Sequence, residues 1–174
     1  MSVLPPEVAA LVERFSRNRD AYHSPAYNEA QTRREFIDPL FKALGWDVDN
    51  EQGLAEAYKD VIHEDAIKVG GVSKAPDYCF SIGGTRKFFV EAKKPAVGVE
   101  SDLEPAYQLR RYAWTSKLPL SILTDFEEFA VYDCRIKPGR LKDQFDEDTE
   151  TTWGTAAIDK MTTQSRIMLG RLPY

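Results

Sequence analysis

Asp77, Glu91 and Lys93 are the residues whose types and spacing could do chemistry. They bracket a stretch that reads as a β-hairpin. Tyr78-Cys79-Phe80-Ser81-Ile82 is aromatic and apolar, Gly83-Gly84 is a two-residue turn signal, and Lys87-Phe88-Phe89-Val90 resumes the strand. Side chains alternate faces along a strand, so Glu91 and Lys93 point one way and Ala92 the other. Pro95 has no N–H to give and ends the pairing. Folding the ribbon back on itself places Asp77, at its start, beside Glu91 and Lys93, at its end.

An Asp/Glu–Lys ion pair capping the sheet edge is the plainest account of these charges. It needs one acid, however, and two acids side by side repel each other. A divalent cation between them removes the repulsion, and hard cations such as Mg2+ take oxygen ligands while keeping several waters. An adjacent lysine can position or activate a water, or offset charge developing on a phosphate. Together these are the components of metal-assisted phosphodiester hydrolysis.

The elements that must position this hairpin are legible around it. Pro5-Pro6 opens a helix whose apolar residues, Val8, Leu11, Val12 and Phe15, follow helical spacing, and Ser24-Pro25 marks a boundary after it. A second helix is predicted from about Asn28 to Leu44, with the stripe Phe36, Ile37, Leu40, Phe41 and Leu44, a kink or break at Pro39, and Gly45 as its end. Trp46-Asp47-Val48 is expected to be extended. Glu29 lies in that helix's first turn, where it either suits the positive end of the helix dipole or reaches the metal site as a further acid.

Residues 60–69 read as one strand, and His63 on it as structural or solvent-facing rather than catalytic. Gly70-Gly71 turns the chain towards the hairpin. A helix comes next, from about Asp102 to Lys117, carrying Gln108, Arg111 and Tyr112 at adjacent positions. Leu118–Thr124 is a strand buried on both faces, and Phe129–Cys134 is the last strand. Met161–Leu169 is expected to be a terminal helix. The order of elements predicts an α/β fold, a mixed central sheet flanked by helices on both faces.

At 174 residues the chain is long enough for one domain with a buried core. Its hydrophobic (43%) and charged (29%) fractions are those of a soluble globular protein, and no apolar run nears the ~18 residues of a membrane span. The first residues lack the basic and apolar regions of a signal peptide, so a cytoplasmic location is expected. Cys79 and Cys134, both in predicted strands, are expected to be reduced core thiols. The net charge of −5 argues mildly against a nucleic-acid binder judged on bulk charge. Basic residues nevertheless cluster at Arg33-Arg34, Lys93-Lys94, Arg110-Arg111 and Lys137, Arg140, Lys142, and these are candidate phosphate contacts.

Pro76-Asp77 followed by Glu91-Ala92-Lys93 resembles the PD-(D/E)xK nuclease superfamily, the fold of many restriction endonucleases. Asn28-Glu29-Ala30-Gln31-Thr32-Arg33, Phe36 to Leu40, Leu44-Gly45-Trp46, Phe89 to Pro95, the Gln108 to Trp114 helix and Leu123-Thr124-Asp125 narrow the likeness. They resemble the N-terminal cleavage domain of fused, type IIG-like restriction–modification enzymes and the start of the type I restriction subunit. The likeness spans roughly Tyr27 to Pro138.

The resemblance implies a restriction-endonuclease-like domain over residues 1–145, with 1–25 as an N-terminal helix and linker. Residues 146–174 are then a tail or the start of a connector. It implies a Mg2+-dependent DNA endonuclease, with Mn2+ able to substitute. Asp77, Glu91, the carbonyl of Ala92 and Glu29 would serve the metal, Lys93 would orient the attacking water or stabilise the pentacovalent phosphate, and Gln108 would support Lys93 or approach the phosphate. The products would carry a 5′-phosphate and a 3′-hydroxyl. Double-stranded DNA is the implied substrate, with dimerisation on it. A methyltransferase and a target-recognition module would be supplied in cis or in trans, since the sequence holds no Asn-Pro-Pro-Tyr-type motif. The alternatives are a catalytically inactive nuclease-fold module for DNA binding or subunit assembly, and a carboxylate-pair hydrolase such as a glycosidase, which has no need of Lys93.

Overall fold

The hairpin at Asp77–Lys93 forms the centre of a sheet whose two faces belong to two different cores. A computed structural model describes residues 5–99, 103–138 and the pair Ile167–Met168. Strands β1 (Val61–His63), β2 (Ile67–Val69), β3 (Val72–Lys74), β4 (Tyr78–Ile82), β5 (Thr85–Ala92), β6 (Leu120–Thr124), β7 (Phe129–Asp133) and β8 (Ile167–Met168) form two sheets. The main sheet has the order β1-β4-β5-β6-β7-β8, and β2 and β3 form a separate ribbon. The pair β5/β6 is parallel and its neighbours are antiparallel, so the sheet is mixed as expected.

The turn between β4 and β5 depends on its glycines. Gly83 and Gly84 have φ of +56° and +76°, the left-handed pair that a tight hairpin requires. A Cβ on Gly84 would also stand 2.8 Å from the carbonyl oxygen of Ala57. Alternation along the hairpin then divides its side chains. Tyr78, Phe80, Val90 and Ala92 enter one core, and Cys79 and Phe89 enter the other.

The first core is covered by helices α1 (Pro6–Arg17), α2 (Arg19–Tyr22), α3 (Glu29–Thr32) and α4 (Asp38–Ala43). Val8, Leu11 and Phe15 are the buried residues of α1, as their spacing predicts. Asn28 caps α3 through a reciprocal pair of bonds with Gln31, which fixes Glu29 as the first helical residue. Pro39 does not break the helical path. A widened π turn over Arg33–Ile37 joins α3 to α4. Pro39 cannot donate to the carbonyl of Glu35, and the guanidinium of Arg14 donates to it instead while stacking over the Phe36 ring.

The second core is covered by α5 (Leu103–Thr115), with Leu109, Tyr112 and Ala113 packed on Phe89, Leu123 and Ala130. Helices therefore lie on both faces of the sheet. Ser121 and Leu123 are buried on one side of β6 while Ile122 packs against the other core, so this strand is covered twice, as its apolar run predicts.

Several expectations need correction. Residues 60–69 are not one strand: the turn at Glu64, with φ of +52°, separates β1 in the main sheet from β2 in the ribbon, and Gly70-Gly71 closes the β2–β3 turn. Trp46 and Val48 pack into the first core from a loop, not a strand, because Asp47 accepts from the backbone N–H of Glu51 and Gln52 and curls the chain. Of the stretch expected to be a terminal helix, the described pair Ile167–Met168 is extended and bonds to Ala130 and Val131, and the rest lies outside the described residues. Asp102, Arg140, Lys142 and the remainder of 146–174 also lie outside them. Both cysteines are buried free thiols, with pKa values raised by burial. Among the described residues no helix is long and apolar enough to cross a membrane.

Candidate metal and phosphate site

The hairpin register brings the three residues together at the end where β5 stops. Tyr78 pairs with Val90, so Asp77 lies opposite Glu91. The backbone N–H of Asp77 faces a Glu91 carboxylate oxygen at 3.4 Å. The backbone N–H of Ala92 donates to Oδ2 of Asp77 at 2.8 Å. Lys93 comes directly after β5, held by its own N–H donating to the carbonyl of Thr124 at 2.8 Å on the parallel neighbour β6. Its ammonium reaches Oε1 of Glu91 at 3.0 Å and Oε2 of Glu29 at 3.4 Å. The capped first turn of α3 thus delivers Glu29 to the site as a further acid.

Sequence reasoning did not place two members beside Asp77. Arg33 donates to Oδ1 of Asp77 at 2.6 Å and lies 3.9 Å from Glu64. The signal for Arg33 was its place four residues after Glu29, which puts both on one helix face. Glu64 stood out in the sequence only as the neighbour of His63, since its place beside Asp77 depends on the turn that splits β1 from β2. Below the site, the Tyr78 hydroxyl donates to Oδ1 of Asp38 at 2.7 Å and ties the hairpin to α4.

Gln108 is engaged along its own helix, donating to Glu104 at 2.9 Å and accepting from the Tyr112 hydroxyl at 3.2 Å. These bonds do not join it to Lys93. The helix still borders the site: the Tyr112 hydroxyl pKa is raised, first by burial and then by the negative charge of Glu91. Of the basic clusters, Arg33 and Lys93 are within the site, Arg110 is buried, and Lys137 lies over the Trp114 ring. His63 bonds to the carbonyl of Val48 and packs on Tyr78, a structural role.

The electrostatics are those of an acid surplus. Burial pushes the Glu91 carboxyl above its ordinary range, and Asp77 beside it adds to the shift. Burial works against the charge on Lys93, but Glu91, Glu29 and Asp77 outweigh it and hold the ammonium pKa above its usual value. The ion pairs connect four carboxylates, Glu29, Glu64, Asp77 and Glu91, to two cations, Arg33 and Lys93. The surplus equals the charge of one divalent ion. Among the described residues no three acidic, histidine or cysteine side chains form a ready-made cage. The donor set is instead a pair of carboxylates offering hard oxygen ligands, which suits Mg2+, an ion that keeps several of its waters, better than a metal needing a full protein cage.

A family model for the type I restriction enzyme R protein N terminus matches residues 26–140. The chain belongs to that family. It is 43% identical over 130 residues to the type II restriction enzyme and methyltransferase RM.Eco57I of Escherichia coli. That match takes in 74% of this chain and 13% of the relative. A solved fragment of a chain assigned as the HsdR subunit of a type I restriction enzyme from Vibrio vulnificus matches with a TM-score of 0.49 and 24% identity. It covers 64% of this chain and 22% of that one. The chain therefore corresponds to a small part of each of these larger proteins, and it is a restriction-enzyme N-terminal domain of the kind found in restriction–modification systems.

Proposed function

We propose that this domain is the Mg2+-dependent DNA-cleaving module of a restriction–modification enzyme. The observation that carries the reading is the convergence of Asp77, Glu91 and Lys93 at one hairpin end, with a net acid surplus that a single divalent cation would balance. Asp77 and Glu91, with the Ala92 carbonyl and with Glu29 at the rim, would hold Mg2+. The bound ion would supply Lewis-acid stabilisation of the phosphate and a more acidic water.

The chain's own residues do the rest. Glu91, Glu29 and Asp77 raise the Lys93 pKa and favour its ammonium form. Its role is electrostatic: it orients the attacking water through its N–H donors and offsets negative charge as the pentacovalent phosphate forms. Glu29 holds that ammonium in place from the helix side. Gln108 and Tyr112, linked to each other on α5, border the approach to the phosphate. The relative that is by name both restriction enzyme and methyltransferase supports a methyltransferase and a target-recognition module acting alongside this domain. Double-stranded DNA is the substrate, and cutting both strands calls for two copies of the domain on the DNA.

Incubating the protein with plasmid DNA and Mg2+ tests the reading. Nicking or linearisation is expected, and it is abolished by EDTA and by Asp77→Ala. Cleavage that survives both contradicts the proposal. Lys93→Ala is expected to keep divalent-metal binding and lose turnover; calorimetry showing that Lys93→Ala no longer binds metal would assign the lysine a structural role instead.

A further inference from the structure

Arg33 is paired with a carboxylate that the proposed metal centre would use. Oδ2 of Asp77 accepts from the Ala92 N–H at 2.8 Å, and Oδ1 accepts from the Arg33 guanidinium at 2.6 Å. A guanidinium this close and a divalent cation would compete for the same lone pairs and repel each other. A second acceptor stands ready. Glu64 lies 3.9 Å from the same guanidinium nitrogen, and its side chain is 72% exposed. The backbone fixes Glu64 beside Asp77, because the Glu64 N–H donates to the Asp77 carbonyl at 3.1 Å. Arg33 itself begins the π turn between α3 and α4, a local widening of the kind often found at functional sites.

We propose that Arg33 is a displaceable counterion of the metal site, held by Asp77 when no divalent cation is bound and transferred to Glu64 when one is. This rests on the metal-centre reading above. Arg33 is then a positioning residue whose exchange between two carboxylates sets the metal affinity of Asp77. Without it, half-buried Asp77 would lose the cation hydrogen-bonded to it, and metal would bind more tightly. Without Glu64, the guanidinium would have no acceptor to move to, and metal would bind more weakly. An alternative role, in which Arg33 stays on Asp77 and orients it for the metal, predicts the opposite result for Arg33.

Calorimetric titration with Ca2+ separates these outcomes, because it reads binding without turnover. Arg33→Gln is expected to tighten Ca2+ binding by about tenfold, the worth of one charge-assisted hydrogen bond. Glu64→Gln is expected to weaken it by about threefold to tenfold. The decisive protein is the double variant. A general loss of negative charge at Glu64 would weaken binding in any background, whereas the exchange predicts that the Glu64→Gln effect disappears once Arg33 is Gln. Weaker or unchanged binding by Arg33→Gln, or an undiminished Glu64→Gln effect in the double variant, overturns the proposal. Glu64→Gln alters an exposed side chain, so it still tests the exchange if Arg33→Gln does not fold: unchanged or tighter binding there overturns it too. Asp77→Asn supplies the control. Asp77-dependent binding without the predicted pattern removes the exchange alone, whereas binding that ignores Asp77→Asn, or no binding to any variant, removes the metal centre and the exchange together.

Discussion

Glu91, half-buried, and Asp125, buried, lie at the same end of neighbouring parallel strands, one on β5 and the other just past the end of β6, where Ala92 pairs with Thr124. Both have raised pKa values, and in both burial is the first cause. Their surroundings differ. The Glu91 side chain keeps 23% of its surface and faces Lys93 at 3.0 Å, with Asp77 alongside. Asp125 is 2% exposed, and its Oδ1 accepts from the backbone N–H of Glu128 at 2.6 Å in the β6–β7 turn, with Glu127 and Glu128 adding negative charge. Burial of an acid does not by itself make a site. Glu91 has a cationic neighbour, a second acid and a route to solvent, the three things an incoming cation and phosphate need. Asp125 has backbone partners that shape a turn, and the Glu128 N–H offsets only part of the cost of burying its charge.

The largest expected contrast is in activity. Glu91→Gln should lower Mg2+-dependent cleavage by about 10³-fold or more, several kcal/mol of barrier, because an amide cannot replace a charged metal ligand. Asp125→Asn should leave cleavage within about threefold of the parent, less than about 0.7 kcal/mol. Equal losses at both positions would erase the distinction between them.

Stability should separate them in the other direction. The Asp125 carboxyl titrates at about 7 in the folded chain, against an ordinary value of 3.8. The folded state therefore binds more protons than the unfolded state between these values, and stability falls as pH rises from about 4 to about 7. Asp125→Asn keeps an oxygen for the Glu128 N–H and removes the charge. It should raise stability above pH 7 by on the order of 1–4 kcal/mol and flatten the dependence in that window, as read by chemical denaturation at several pH values. A steeper dependence in the variant would contradict the account.

A smaller effect is expected beneath the site. Tyr78→Phe removes the hydroxyl of a buried tyrosine that donates to the half-buried Asp38 carboxylate at 2.7 Å. The loss should be about 1–3 kcal/mol of stability with the metal affinity little changed, since the ring still fills the core. A drop in metal affinity without a drop in stability would place Tyr78 in the site rather than under it.

The hairpin and its charges were legible because both obey local rules: paired glycines for the turn, and a two-residue period that puts Glu91 and Lys93 on one side. The helix stripes at Val8–Phe15 and Phe36–Phe41 were legible for the same reason. Hidden features depended on contacts distant in sequence. The Glu64 turn splits an apparently continuous strand, and only the fold reveals that Glu64 and Arg33 flank Asp77. Pro39 suggested a kink or a break: the helical path is unbroken, and the irregularity is the widened turn just before Pro39. Arg110 looked like a surface cation beside Arg111, yet helical rotation buries one and leaves the other partly open.

The account's central claim is that Asp77 and Glu91 share one divalent ion. The most direct measurement is anomalous diffraction from crystals soaked in Mn2+. The account predicts one strong peak within coordinating distance of both carboxylates, absent in Asp77→Asn crystals. An ion bound elsewhere, or no peak near the two carboxylates at saturating Mn2+, would contradict it.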